Sequence, residues 1–244
     1  MRIGILGAGS IGSTLARRLG AAGHDVKVAN SRGPETIDSD VLATGATAVE
    51  ASAVVHDVEV LITSIPLSAM PAIKPLVAEL PAGVVVIDTS NYYPARDGQL
   101  QVLDEGQVES VWVAEQIGRP VVKAWNAVLS GTFEAKGLAA GRVGRLAIPV
   151  AADQEADLQT AMSLVEDTGF DAVYAGRLAD SWRQQPGAPA YCTELTRDEL
   201  PDALARADKD LLSGRRDQAM ATIGERFGSL TTDDIVILNR TTYA

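Results

Sequence analysis

Residues 1–32, MRIGILGAGSIGSTLARRLGAAGHDVKVANSR, decide the fold. Ile3, Ile5 and Leu6 form an apolar run of strand length that ends directly in Gly7. Gly7-Ala8-Gly9-Ser10-Ile11-Gly12 then fits Gly-x-Gly-x-x-Gly. A helical period follows through Ile11, Leu15, Arg18, Leu19 and Ala22, and Gly23 stops it. A second strand, Val26 to Ala29, runs into Asn30-Ser31-Arg32. Glycine is common, so the motif alone says little; between a buried strand and an amphipathic helix it has the context it needs. Gly7 permits the tight turn, Gly9 lets backbone approach a pyrophosphate, and Gly12 lets helix and strand pack closely. The free amides near Ser10 and Ile11 present the positive end of the helix dipole to that anion. The stretch implies a dinucleotide site.

The end of the second strand selects the nucleotide. A site for NAD places Asp or Glu there to hold the ribose hydroxyls, and that carboxylate repels a 2′-phosphate. This chain has Asn30, Ser31 and Arg32, with no carboxylate until Glu35. Arg32 can grip a phosphate through two parallel charged hydrogen bonds, and Ser31 adds a donor. These residues point to NADP.

Outward from this unit, strands alternate with helices. Val58 to Ile65, Val84 to Asp88 and Val121 to Ala124 read as buried strands. A short helix and a weak strand near Thr47 are expected between Pro34 and Glu50, and Ser110 to Ile117 reads as a helix. Ser68 to Leu80 also reads as a helix, interrupted at Pro75. The rhythm predicts a Rossmann-like, doubly wound parallel α/β sheet over residues 1–143. Residues 144–244 form a smaller α/β extension: strand Leu146 to Val150, helix Gln154 to Asp167 and strand Phe170 to Ala175, which extend the sheet or make a lobe on its edge. Arg177 to Cys192 has no period and reads as a long loop. Helices around Arg197–Asp210 and Asp217–Phe227 and a polar tail complete the chain.

Ligands of such sheets sit beyond the carboxyl ends of the strands. Besides Gly7 and Asn30, those ends are Ser64-Ile65-Pro66, Ser90-Asn91 and Trp125-Asn126. An ordinary turn explains Ile65-Pro66 and Asn91 equally well, and Asn126 also suits a helix cap. The long loop carries Trp182 and Tyr191, candidates for a second-substrate pocket, although a plain crossover accounts for the loop as readily.

With 244 residues, 46% hydrophobic and 22% charged, the composition is that of a soluble globular chain. The net charge of −11 argues against general affinity for nucleic acid or anionic membrane. Neither a signal peptide nor a run of membrane-spanning length is visible, so a cytoplasmic location is expected. Cys192 stands alone, which rules out an internal disulfide, and with His24 and His56 it makes no convincing metal set. Both histidines read as exposed helix-flanking residues. No general acid, base or nucleophile can be named from the sequence.

These motifs make the chain resemble the NADP oxidoreductase, coenzyme F420-dependent family, that is, reduced-deazaflavin:NADP reductases and their relatives. The resemblance rests on MRIGILGAGSIG, Gly23-His24, Asn30-Ser31-Arg32 and Ser64-Ile65-Pro66. IDTSN (Ile87 to Asn91) and VVKAWNAV (Val121 to Val128) are similar to the cytosolic NADPH domain of six-transmembrane metalloreductases. It implies that Gly7, Gly9, Ser10, Ile11 and Gly12 hold the pyrophosphate, Ser31 and Arg32 the 2′-phosphate, and that Ile65, Pro66, Asn91 and Asn126 lie near the nicotinamide. It further implies a deazaflavin or flavin-like hydride acceptor or donor, and leaves room for a homodimer. Asn126 and Leu129 depart from the His and Pro expected beside a deazaflavin ring. Reduction of a small carbonyl, imine or quinone, with Tyr92, Tyr93 or Tyr191 as proton donor, is the alternative. A non-catalytic NADPH-binding sensor is an alternative of another class.

Overall fold

The computed structural model describes residues 1–244. Strands β1 (Arg2–Leu6), β2 (Asp25–Ala29), β3 (Thr47–Ala48), β4 (Val60–Thr63), β5 (Val85–Asp88) and β6 (Val122–Lys123) form one parallel sheet in the order β3-β2-β1-β4-β5-β6. The strand order reverses between β1 and β4, and the crevice of a doubly wound sheet opens at that point.

Both sheet faces are covered, as the uninterrupted apolar strands require. Ile3, Ile5, Val60 and Ile62 point to one face, where they meet Leu15 and Leu19 of helix α1 (Ser10–Ala21). Leu6 and Leu61 point to the other, against Trp112 and Val113 of α2 (Glu109–Ile117). The segment after β4 is a 3₁₀ helix, Leu67–Ile73, followed by an α-helical turn, Lys74–Ala78. Pro75 sits in the first turn of the second piece, where its missing N–H costs nothing, so the interruption falls just before it.

After α3 (Ser130–Ala135), strands β7 (Ala147–Val150) and β8 (Asp171–Tyr174) flank α4 (Glu155–Asp167) and pair only with each other. The main sheet touches this unit through one antiparallel bridge, Lys123 with Ala151. Its apolar side chains Ile148, Val150, Leu164 and Phe170 nevertheless join the same core as Ile3 and Leu15. Arg18 of α1 stitches the two together: its guanidinium donates to the carbonyls of Phe133, Glu134 and Thr168 and lies against the Phe133 and Phe170 rings.

Three sequence expectations fail here. Arg177 to Cys192 is not a loop throughout: a 3₁₀ helix, Leu178–Gln184, opens it, turns follow to Cys192, and Ser181, Gln184 and Ala188 are wholly buried. The polar tail is a helix, α6 (Thr232–Thr242), packed on α5 (Leu212–Glu225). Thr231 caps α6 reciprocally with Asp234, a Thr-x-x-Asp start signal present in the sequence. His24 is no free surface group: its Nε2 lies 3.0 Å from Asp167 and its Nδ1 3.2 Å from the N-terminal nitrogen. No helix is long and apolar enough to cross a membrane, and no cluster of His, Cys, Asp or Glu could hold a metal ion.

Candidate functional site

The glycine turn divides its work between fold and opening. Gly7 has φ +112°, and a Cβ there would lie 2.1 Å from the Ser64 carbonyl oxygen. A Cβ on Gly12 would lie 1.8 Å from the Gly7 oxygen. Both positions are therefore forced by packing of α1 on the β1–β4 crossing. At Gly9 a Cβ would meet nothing within 4 Å, so this backbone faces open space. The first intrahelical bond of α1 runs from the Ser13 amide to Gly9 O at 2.8 Å, which leaves the amides before it aimed outward. No acidic side chain opposes them in the first turn. An open glycine below a free helix start fits the pyrophosphate of a dinucleotide.

At the end of β2, Asn30 is spent on its own loop. Its Oδ1 accepts the Arg32 amide at 2.8 Å, and its Nδ2 donates to Thr36 Oγ1 at 2.9 Å. Ser31 and Arg32 are exposed on the resulting turn. The Arg32 guanidinium has no acceptor, and Glu35 folds back over Gly33 rather than pairing with it. Asn30 thus shapes the turn, while Ser31 and Arg32 keep their donors free for a phosphate.

The remaining strand ends converge on one cleft of about 370 Å³. Gly9, Ser10 and Ile11 form its near end; Ser64, Ile65 and Pro66 form one side; Asn91, Asn126, Tyr93 and Tyr191 form the far end. Two buried amides and a half-buried one hold that far end. Asn126 Nδ2 donates to Asn91 Oδ1 (3.0 Å) and to Gln184 O (2.8 Å), Asn91 Nδ2 donates to Asn126 O (2.9 Å), and Gln184 Nε2 donates to Asn126 Oδ1 (2.8 Å). Two strained residues set the approach: Trp125 at φ 56° and Cys192 at φ 55°, both on the cleft lining. The Cys192 amide donates to Ala127 O at 3.0 Å, tying the two segments together.

Below this wall, Lys123 and Asp88 form a fully buried ion pair, Nζ to Oδ2 2.7 Å. Lys123 also donates to the Ser90 carbonyl, and Asp88 Oδ1 accepts the Ser90 amide at 2.9 Å. The pair pins the ends of β5 and β6 from which Asn91 and Asn126 project. One charged residue inside each of two apolar strands was a readable sign of such a pair.

Of the two aromatics expected on the acceptor side, Tyr191 lines the cleft and Trp182 does not. The Trp182 ring is covered by the Arg183 guanidinium, 4.3 Å from its centroid. Tyr191 Oη instead lies 2.6 Å from Tyr93 Oη. Burial raises both phenols well above their ordinary value, so both hydroxyls keep their protons. Tyr92 points the opposite way and donates to Asp104 at 3.0 Å. Gln184 and the Lys123–Asp88 pair are participants that sequence reading did not name.

Residues 2–92 match the model of the family described as NADP oxidoreductase, coenzyme F420-dependent. The Escherichia coli (strain K12) protein YjhV is 41% identical over 100 residues, 41% of this chain and 73% of that protein. Among solved structures, the hypothetical protein SMa0349 from Sinorhizobium meliloti is 28% identical with a TM-score of 0.67, the match covering 80% of this chain and 95% of that one. A chain assigned as an F420-dependent NADP-reductase from Arthrobacter sp. FB24 shares the fold at 19% identity and a TM-score of 0.62, over 91% of this chain and 94% of that one.

Proposed function

We infer, for a chain that belongs to the NADP oxidoreductase, coenzyme F420-dependent family and takes NADP as its cofactor, that hydride passes between the nicotinamide and a deazaflavin or flavin-like ring in the same cleft. The observation that carries this reading is the character of the cleft lining. From Gly9 to Tyr191 it holds one charged side chain, Arg96, already engaged with the Asn91 carbonyl and Asp97. A largely uncharged, continuous trough suits two planar rings laid face to face.

In this reading the amides of Ser10 and Ile11 hold the pyrophosphate, and Ser31 with Arg32 holds the 2′-phosphate. Ile65 and Pro66 form one wall beside the nicotinamide, and Asn91 and Asn126, their amides bonded to each other and to Gln184, form the wall at its far edge. The bound cofactor supplies the hydride. The chain supplies orientation and exclusion of water, from which most of the rate of such a transfer arises.

A second reading is favoured by the Tyr93–Tyr191 hydroxyl pair. Reduction of a small carbonyl, imine or quinone needs a proton on the heteroatom as hydride reaches carbon or the ring. The Tyr93–Tyr191 pair puts a hydroxyl proton on the cleft lining; burial keeps both phenols protonated and makes each a weaker acid, so the proton moves only as negative charge builds on the heteroatom. Neutral Asn126 and Leu129, at the positions where the resemblance leads one to expect His and Pro, fit this reading better than the first.

NADPH absorbance decay against deazaflavin, flavin, quinone and imine panels tests the choice, with a Tyr93→Phe, Tyr191→Phe double variant beside the wild type. Deazaflavin or flavin turnover that survives in the double variant supports the first reading. Carbonyl or imine turnover that falls by roughly 10²–10⁴ supports the second. Tight NADPH binding without turnover on any panel member defeats both and leaves an NADPH-binding sensor.

A further inference from the structure

Behind the wall that carries Asn91 and Tyr93 lies a second cavity of about 370 Å³, lined by Tyr92, Asp104, Glu109, Gln185, Asp210 and Arg216 among others. It shares no lining residue with the nucleotide cleft. The wall between them is one residue thick in sequence terms. Asn91 and Tyr93 face the cleft while Tyr92 faces the cavity; Gln184 bonds Asn126 on the cleft side while Gln185 accepts the Glu109 amide at 3.2 Å on the cavity side.

Glu109, the first residue of α2, is 3% exposed, and its Oε2 is buried with no hydrogen-bond partner. A buried polar atom without a partner costs about 1–3 kcal/mol, more when charged, so such an atom on a cavity wall points to an occupant. The other polar groups of the lining are largely committed. Asp104 accepts the Tyr92 hydroxyl, and Arg216 lies over the Tyr92 ring and pairs with Asp217. The acidic side chains of the lining, Asp104, Glu105, Glu109 and Asp210, outnumber Lys209 and Arg216. A volume of this size is at the lower end of those that take small molecules, about 300–1,000 Å³.

We propose that this cavity binds a small organic cation, with a primary ammonium or guanidinium group seated on the Glu109 carboxylate. Burial pushes the Glu109 carboxyl up to about 7, against the opposing pull of Lys123. The neighbours acting on it are Lys123 from β6, the backbone N–H of Tyr92, Asp88 from β5 and Arg216 from α5. A cation must therefore displace a proton, and binding strengthens as pH rises through neutrality. The occupant would touch α2, the 184–185 strap and α5 at once, so it acts on the segment that also holds Asn126.

Calorimetric titration of the full chain with 1,4-diaminobutane, against 1,4-butanediol and succinate, tests this. The diamine stays protonated throughout the range used. It is expected to bind one to one, and the diol and the diacid not at all. Affinity should rise about tenfold between pH 6 and pH 8 as Glu109 loses its proton. Glu109→Gln should lower affinity at pH 8 by about tenfold or more and flatten the pH dependence, while leaving the NADPH titration unchanged. Should that variant fail to fold, Asp210→Asn should still weaken diamine binding about threefold. Absence of diamine binding to NADPH-competent wild type overturns the proposal. So does equal binding of succinate, unaltered diamine affinity in Asp210→Asn, or a retained affinity and pH slope in Glu109→Gln. NADPH binding and turnover are read separately, so failure here leaves the oxidoreductase reading untouched.

Discussion

The two ends of the cleft are built on opposite principles. At the near end, Gly9, Ser10 and Ile11 present backbone to open space, and Arg32 stands exposed without a partner. At the far end, Asn126 and Gln184 are 2% and 0% exposed, and their amides are spent on each other and on Asn91. A ligand group that is the same in every dinucleotide needs only amides and a helix end, which one short stretch supplies. A wall that must hold two reactants at a fixed spacing needs side chains locked by other side chains. The near end should therefore lose affinity when altered but keep its fold; the far end should lose stability or turnover but keep NADPH affinity.

The largest effect tests the first half of that contrast. Gly9→Val should lower NADPH affinity by at least about a hundredfold, because the new side chain fills the space in front of the turn. Gly9 has φ −76° and ψ −174°, which Val adopts readily, so the melting temperature should stay close to wild type. Gly12→Ala should instead damage both, since its Cβ has nowhere to go. Scanning fluorimetry with and without NADPH separates the outcomes. Retained stabilisation by NADPH in Gly9→Val would put the nucleotide elsewhere.

Asn126→Ala tests the second half. It strips partners from Asn91 and from the buried Gln184 amide, and a loss of about 2–4 kcal/mol in urea unfolding is expected. NADPH affinity of the folded fraction should hardly move. A stable Asn126→Ala protein with weakened NADPH binding would mean that the amide serves the cofactor directly rather than the wall.

The same contrast explains what could be read in advance. The near end was legible because its parts are neighbours in the chain: strand, three glycines, helix, then Asn30-Ser31-Arg32. The parallel strands were legible too, as apolar runs of the right length. The far end joins residues 35, 58 and 98 positions apart, in the Asn91–Asn126, Asn126–Gln184 and Tyr93–Tyr191 contacts, and no local pattern encodes such pairings. Trp182 illustrates the difficulty. In a 3₁₀ helix residues three apart share a face, so Ser181 and Gln184 turn inward together and Trp182 is carried to the side. An aromatic-rich segment announced a buried wall, but the period that decides which residue faces the cleft was hidden by its shortness. The sheet of β7 and β8 was foreseen as strands, yet its detachment from the main sheet follows from β6 having only two residues to offer an edge.

Arg32→Ala sharpens the near end further. A charged hydrogen-bonding partner of a phosphate is worth about 1.5–3 kcal/mol, so NADPH affinity should fall by roughly ten- to a hundredfold while NADH affinity barely changes. Stability should be unaltered, because the guanidinium touches no acceptor in the protein. Equal losses for the two nucleotides, measured by fluorescence titration, would show that Arg32 does not read the 2′-phosphate.

The smallest effect is expected where the two principles meet, at Tyr191. Its hydroxyl reaches Tyr93 at 2.6 Å on the cleft lining, and the bond joins two neutral groups. Such a bond contributes about 1 kcal/mol net, and the partly buried Tyr93 can find water in the cleft once its partner is gone. Tyr191→Phe keeps the ring, which belongs to the same apolar cluster as Ala188 and Leu212. It should therefore cost about 1 kcal/mol of stability, against the larger loss from Asn126→Ala. NADPH affinity should be unchanged in both. Their turnover is where they should part: Asn126→Ala loosens the wall for every acceptor, whereas Tyr191→Phe removes one hydroxyl and leaves the ring in place. Measured per folded molecule, then, Tyr191→Phe, which leaves the Tyr93 hydroxyl on the cleft lining, should slow carbonyl or imine reduction less than the double variant does and spare flavin reduction. A stability loss above about 3 kcal/mol would instead make the phenol a buried pin like Asn126, and the division of the cleft into a locked wall and a chemically available hydroxyl would fail.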